Sequence, residues 1–256
     1  MLKKIGKRVF IIICIIIVIE KNIVRPIQSP VFTYDQIDIL AVGNSNLYSS
    51  LSPKLYYELY DKKVYMLSSA YQGVDQTYAN LKKALEEVKP QMIIYEVDNL
   101  YTYLPDCFLP DTAKTSVEIG QKRPHYLNQY GFYDSQRCVP SLIMMETKDT
   151  NQKQSMTNIS LLYFHNIVEL SRKNNIPLVL ISAPCLTTWS IEKHNYISEL
   201  AMKNNVDYID FNVLEDMKVN WLLDTRDGGT HLNNNGAIKV TTQLGKMLEK
   251  KNYVVE

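Results

Sequence analysis

The sequence predicts an α/β protein, a three-layer α/β/α sandwich built around a five-stranded parallel sheet. Short apolar runs alternate along the chain with longer segments of helical periodicity, the order expected of strand–helix–strand units. Each apolar run is nearly continuous, as in strands that are buried on both faces. The 256 residues, 46% of them hydrophobic, suffice for one large domain.

Five strands are predicted at the apolar runs, over residues 37–43, 63–69, 91–97, 177–184 and 206–211. Helices are predicted over residues 46–60, 75–88, 156–174, 190–203 and 232–250. Pro53 is expected to break or restart the first helix. Right-handed crossovers between parallel strands place helices on both faces of the sheet, and functional residues then gather at the carboxyl ends of the strands.

Residues 101–150 interrupt this alternation. The segment is rich in Pro, Asp, Gln and Tyr and has no long apolar stripe. We interpret it as an insertion within a domain of residues 37–256, either lying over the functional site or forming a loosely ordered excursion.

The N-terminus has the pattern of a membrane signal. Four basic residues among the first eight precede an uninterrupted apolar run at residues 9–19. We predict a signal anchor over residues 1–24 and a linker over residues 25–36, with a cleaved signal peptide as the alternative. The positive flank places the N-terminus in the cytoplasm and the domain outside, as a single-pass protein of the cell membrane.

Charge and cysteine content argue against several classes of protein. Without the four basic residues at the N-terminus, the chain has 24 basic and 27 acidic residues, a balance that disfavours nucleic acid as a partner. The four cysteines are scattered and form no CxxC pair or metal-ligand spacing with histidine. We therefore expect neither a metal ion nor a cofactor.

A serine follows the first predicted strand in the stretch "AVGNSNLYSS". Ser45 lies directly after Gly43-Asn44 and before a helix, a position that exposes a hydroxyl at the carboxyl edge of a parallel sheet. Backbone amides at the start of the helix can stabilise an anion there. The simpler interpretation is that Ser45 or Asn46 is the N-cap residue of the helix.

A histidine and two acids lie together near the C-terminus in "DTRDGGTHLNNNGA". A hydroxyl nucleophile needs a base, and the base needs an acid to orient it. His231 is the candidate base and Asp227, four residues earlier, the candidate acid, since the two intervening glycines permit a sharp turn. Asp224 is the competing acid. A capped helix start with a surface histidine is the alternative.

Two further strand ends carry candidate residues. Gly73 follows the second strand, where its backbone N–H can face the same edge as Ser45. Asp98 and Asn99 follow the third strand. Taken alone, Gly73 is better explained as a glycine in a loop, and the alternative for Asp98 and Asn99 is a turn at the end of the strand.

Together these blocks resemble those of the SGNH/GDSL hydrolases. The resemblance covers residues 38–248 and rests on "GNS" at Ser45, on Gly73, on the polar strand end at Asp98-Asn99, and most specifically on "DGGTHLNNNGA". Within the superfamily the chain looks most like membrane-anchored bacterial members. Some of these are related to the D-alanyl-lipoteichoic acid biosynthesis protein and to partners of membrane-bound O-acyltransferases.

The resemblance implies a flavodoxin-like sheet and a serine mechanism. Ser45 would attack an ester, His231 would carry the proton, and Asp227 would orient His231. The backbone amides of Ser45 and Gly73, with the Asn99 side chain, would bind the oxyanion. The implied function is that of an esterase or O-acyltransferase acting on acyl esters of an envelope glycan or polymer. A membrane-bound O-acyltransferase is the candidate partner that the resemblance implies.

Two departures from the family's pattern bear on this expectation. The family places its acid two or three residues before the histidine, where this chain has Gly228 and Gly229. The third block lacks a clear Gly-x-Asn-Asp, so that the oxyanion asparagine is Asn99, Asn44 or absent. These features favour the alternative of a non-catalytic scaffold or glycan-binding protein.

Overall fold

The computed structural model describes residues 37–102, 119, 123–143, 150–251 and 253, all within one compact unit, Thr33–Glu256. The predicted anchor and linker, residues 1–36, lie outside the described residues, as do parts of the predicted insertion. Within the described ranges, each helix is too short or too polar to cross a membrane.

Five parallel strands form one sheet, as the sequence predicts. They are β1 (Ile39–Gly43), β2 (Val64–Ser68), β3 (Met92–Glu96), β4 (Leu178–Ser182) and β5 (Asp207–Asp210). Their order across the sheet is β2-β1-β3-β4-β5. The four strands β1 to β4 are buried at every position, which explains why their sequences are continuous apolar runs.

Six α-helices cover the sheet within the described residues. They are α1 (Ser45–Ser50), α2 (Pro53–Tyr60), α3 (Val74–Glu87), α4 (Asn158–Lys173), α5 (Ile191–Lys203) and α6 (Asn234–Lys250). The predicted helix 46–60 is two helices, because Pro53 begins α2. A proline is tolerated in the first turn of a helix, where a backbone N–H would have no acceptor within the helix. The Ser52 hydroxyl caps α2 by accepting from the Leu55 N–H.

Two apolar cores lie on opposite faces of the sheet. Successive strand residues point to opposite faces, so Leu40 and Val42 enter one core while Ile39 and Ala41 enter the other. The first core contains side chains of α3, α4 and α5, and the second contains side chains of α1, α2 and α6. The chain is thus the three-layer sandwich that the sequence predicts.

Residues 123–143, the central part of the predicted insertion, form a segment that we call the strap. The Ala70 N–H donates to the Tyr126 hydroxyl at 3.0 Å beyond β2, and the Tyr133 N–H donates to the Tyr48 carbonyl at 2.9 Å on α1. Farther along, the Val139 N–H donates to the Thr225 carbonyl at 3.0 Å. The strap therefore runs beside both the serine helix and the histidine loop.

Candidate functional site

Ser45 is the first residue of α1, at the carboxyl end of β1. Asn44 is the N-cap, since its side-chain oxygen accepts from the Asn46 N–H at 2.9 Å. The interpretation of Ser45 or Asn46 as the cap is therefore wrong, and the Ser45 hydroxyl is left for another partner. Glycine is needed at position 43, because a Cβ there would lie only 2.9 Å from the Glu96 Cβ.

His231 reaches the serine from the last loop before α6. The Ser45 Oγ and the His231 Nε2 are 2.8 Å apart, and the His231 Nδ1 and the Asp227 Oδ2 are 2.5 Å apart. The His231 backbone N–H also donates to the Asp227 Oδ1 at 2.8 Å. The structure thus brings the three residues predicted as nucleophile, base and acid into one hydrogen-bonded chain.

Two glycines shape the loop that holds the acid against the histidine. Gly228 and Gly229 have φ values of 84° and 114°, which residues with a side chain rarely adopt. The Gly229 N–H donates to the Thr225 hydroxyl at 2.8 Å, and that hydroxyl donates to the His231 carbonyl at 3.0 Å. The turn lets a carboxylate four residues before the histidine bond to both its ring and its backbone.

The protonation of the Asp227–His231 pair follows from its contacts. Burial disfavours the charged form of Asp227, but hydrogen bonds from the His231 ring and backbone outweigh it, so the pKa of Asp227 lies below its usual value. An ionised Asp227 accepts from the Nδ1–H of the ring and so orients it. The His231 Nε2 is then the acceptor for the Ser45 O–H, the state a general base requires.

Asp224, the competing acid, has other partners. Its carboxylate accepts from the Asn220 N–H at 2.6 Å and pairs with the Lys239 Nζ at 2.5 Å. The side chain is almost completely buried. Asp224 therefore anchors the loop to α6, and Asp227 is the acid bonded to His231.

Two of the three donors predicted for the oxyanion are already bonded within the protein. Asn99 is fully buried, and its amide donates to the Thr77 hydroxyl at 2.8 Å and to the Gln72 carbonyl at 3.3 Å. The Gly73 N–H donates to the Gln76 side chain at 3.2 Å, inside the first turn of α3. We correct the expectation for Asn99, because its amide faces the core and not Ser45.

Asp98 is the residue of the third block that bonds to Asn44, the residue before the nucleophile. Its carboxylate accepts from the Asn44 side-chain amide at 2.8 Å and from the Thr188 hydroxyl at 2.6 Å. The order Asp98-Asn99 is the reverse of the Asn-Asp of the family's pattern, so a carboxylate stands at the site and the amide is buried. An ionised carboxylate accepts hydrogen bonds but cannot donate them to an oxyanion.

The sequence analysis did not identify a cluster of tyrosines and one arginine near Ser45. Tyr48 lies one turn later on α1, and its side chain is close enough to Ser45 for the serine to affect the pKa of the tyrosine. The Tyr48 ring lies 5.8 Å from that of Tyr126 and 6.2 Å from that of Tyr133, and the guanidinium of Arg226 stands 4.2 Å from the Tyr133 ring centre. The (i, i+3) spacing of Ser45 and Tyr48 on one helix was the available signal.

A second histidine–carboxylate pair lies at the end of β5. The His194 Nδ1 and the Asp210 Oδ2 are 2.8 Å apart, and Asp210 also accepts from Trp189, Tyr208 and Asn212. With this many donors Asp210 is a structural acceptor that holds the loop after β4. The pair is not bonded to Ser45.

A metal site is not apparent in the part of the chain that the structure describes. Its His, Cys, Asp and Glu side chains form no group of three or more that could hold an ion. Cys138 and Cys185 are free thiols, the first exposed and the second buried.

Comparison with known proteins reveals relatives at the level of the fold. No protein-family model matches the chain, and no curated protein sequence matches it. A protein assigned to the G-D-S-L lipolytic family from Desulfitobacterium hafniense DCB-2 is similar in structure, with a TM-score of 0.51 and 11% identity over 82% of this chain and 99% of that chain. A GDSL-like lipase from Bacteroides thetaiotaomicron VPI-5482 has a TM-score of 0.48 and 11% identity over 88% and 93%. At this identity the first likeness shows a shared fold.

Proposed function

We propose that the chain is a serine acyl-transfer enzyme of the SGNH/GDSL superfamily, an esterase or O-acyltransferase. The observation that carries the proposal is the chain of hydrogen bonds from Ser45 through His231 to Asp227 at the carboxyl edge of the sheet. A shared fold would not be enough, since one fold hosts many functions. The order of the three groups and the contacts between them match the requirements of an activated serine.

The mechanism proceeds in two halves. Ser45 Oγ attacks the ester carbonyl while its proton passes to the His231 Nε2. The tetrahedral intermediate collapses, the bond from carbon to the leaving alcohol oxygen breaks, and the alcohol takes the proton from His231. Water or a second hydroxyl then attacks the acyl carbon while His231 accepts its proton. The bond between that carbon and the Ser45 Oγ breaks, the Oγ takes the proton back from His231, and an acid or a new ester leaves.

Hydrolysis and transfer differ only in the acceptor, which a product analysis distinguishes. The protein is given a simple acyl ester with and without a polyol such as glycerol. Acylated polyol, formed with faster consumption of the donor, supports a transferase, and free acid as the only product supports an esterase. Ser45→Ala must abolish both products, and equal turnover by that variant would refute the assignment of the nucleophile.

We further propose that the enzyme acts outside the cell on an acylated glycan or polymer of the envelope, with a membrane-bound O-acyltransferase as a candidate partner. The support is the basic flank before the apolar run at residues 9–19, which would tether the site near that substrate. Protease added to intact cells should digest the domain and spare the first residues. Recovery of the whole protein in the cytosol would refute this location.

A non-catalytic scaffold or glycan-binding protein is the second candidate. The observation that favours it is Asp98, because the third block then offers Asn44 a carboxyl group in place of the side-chain amide that would donate to an oxyanion. The two candidates differ in the reactivity of the serine. A scaffold fails to react with a serine-directed probe and transfers no acyl group even with its membrane partner present.

A further inference from the structure

The oxyanion of the proposed reaction lacks its expected side-chain donor. Negative charge on the former carbonyl oxygen must be met by donors in a fixed position about 3 Å away. The amides of Asn99 and Gly73 are bonded elsewhere, and Asp98 is an acceptor. The backbone N–H of Ser45 remains, because the first residues of a helix have no intrahelical acceptor for their N–H groups. A second donor must come from another residue.

Tyr48 carries a hydroxyl next to the nucleophile. It lies three residues after Ser45 on α1, so both side chains project from the same side of the helix. The tyrosine is only 5% exposed, and its side chain is close enough to Ser45 for the serine to affect the pKa of the phenol. Burial, followed by the nearby Tyr126, raises the pKa of Tyr48 well above its usual value, so the phenol remains a protonated donor.

The surroundings fix the position of this hydroxyl and favour negative charge near it. The rings of Tyr126 and Tyr133 pack against Tyr48, and the Tyr133 N–H holds the Tyr48 carbonyl at 2.9 Å. Arg226 is 8% exposed, and its positive charge interacts with Tyr48. A donor that is fixed in a largely buried site near a cation needs little rearrangement when negative charge develops on the substrate oxygen.

We propose that Tyr48 is a catalytic residue whose O–H, together with the Ser45 backbone N–H, forms the oxyanion hole of the proposed reaction. In the resting state the Tyr48 side chain lies on the same side of α1 as Ser45. When the Ser45 Oγ bonds to the acyl carbon, the Tyr48 O–H turns to the adjacent oxyanion, and the proton stays on the phenol. The inference rests on the proposed function, and it assigns the Tyr48 hydroxyl to the role that was expected of the Asn99 side chain.

A hydroxyl deletion with a matched control tests the assignment. Tyr48→Phe keeps the ring packing and removes the donor, and we expect kcat for p-nitrophenyl acetate to fall on the order of 10²–10³-fold with KM nearly unchanged. Tyr56→Phe removes another buried tyrosine hydroxyl, on α2, and should leave kcat unchanged. Equal kcat in wild type and Tyr48→Phe would overturn the assignment and leave the serine mechanism standing.

A second measurement does not depend on a variant. In a crystal of wild type phosphonylated at Ser45, we expect the phosphonyl oxygen about 3 Å from both the Tyr48 hydroxyl and the Ser45 N–H. An oxygen directed away from Tyr48 would overturn the inference even if Tyr48→Phe were inactive. A wild type that is neither phosphonylated at Ser45 nor active on any ester would overturn the proposed function, and the inference with it.

Discussion

Asn44 and Ser45 show how one residue decides what its neighbour can do. A serine at the start of a helix is commonly a cap, and its hydroxyl is then bonded to the helix. Here the Asn44 side chain caps α1, and it also donates to Asp98 at 2.8 Å. The Ser45 hydroxyl is thereby free to meet His231.

The two acids of the last loop should have separable effects. Asp227→Ala removes the partner of the His231 ring, and we expect kcat/KM to fall on the order of 10²–10⁴-fold, less than for Ser45→Ala. Asp224→Ala leaves Lys239 and the Asn220 N–H without their acceptor, so the free energy of unfolding should fall by about 1–3 kcal/mol. Kinetics and urea unfolding measure the two effects. A greater loss of rate in folded Asp224→Ala than in Asp227→Ala would reverse the assignment.

Glu96 provides a prediction about pH and stability. Burial, and then the charge of Asp98, raise the pKa of Glu96 well above its usual 4.5, and its Oε2 has no hydrogen-bond partner. Above about pH 4.5 the unfolded chain therefore releases a proton that the folded state keeps. The free energy of unfolding of wild type then falls as the pH rises. Glu96→Gln removes the titration. The free energy of unfolding of Glu96→Gln, relative to that of wild type, should therefore increase with pH, by up to about 1.4 kcal/mol per pH unit.

Urea unfolding of both proteins between about pH 5 and about pH 8 measures this difference. A difference that is constant over the range would mean that Glu96 titrates alike in both states. A difference that shrinks as the pH rises would mean that the ionised form is the one stabilised by folding.

Two glycines, Gly228 and Gly229, allow the conformation of the loop before α6, each in a different way. Alanine at Gly228 meets no atom within 4 Å, whereas alanine at Gly229 would lie 2.9 Å from Leu186 and 3.1 Å from the Ser141 hydroxyl. Both positions have positive φ, so each substitution strains the backbone by roughly 1–2 kcal/mol.

We therefore expect Gly229→Ala to lower the melting temperature more than Gly228→Ala. Gly229→Ala should also reduce esterase activity more, since the added clash displaces the loop that holds Asp227 against His231. Thermal unfolding and ester hydrolysis of the two variants check this. Equal losses would show that backbone strain alone governs the loop.

Helices and strands were predictable from the sequence where one local signal dominated. The apolar runs gave all five strands, and Pro53 gave the division between α1 and α2. The strap was not predictable in this way. Its backbone groups bond to distant parts of the chain, such as the carbonyls of Tyr48 and Thr225, and no local periodicity encodes such contacts.

The same contrast holds for the site as a whole. Ser45, His231 and Asp227 could be identified because each occupies a strand end or a loop that the topology brings to one edge. The oxyanion donors could not, since a donor's availability depends on its tertiary partners. Asn99 has the right chemistry and the right strand end, yet its amide is bonded to Thr77 and Gln72 in the core.

The central claim, that Ser45 is a nucleophile activated by His231, is tested most directly by a fluorophosphonate probe and intact-protein mass spectrometry. Wild type should gain one adduct, located on Ser45 by peptide mapping. Ser45→Ala should gain none, and His231→Ala should react far more slowly, because the serine then has no base to take its proton. Equal labelling of wild type and Ser45→Ala, or no labelling of folded wild type, would contradict the claim.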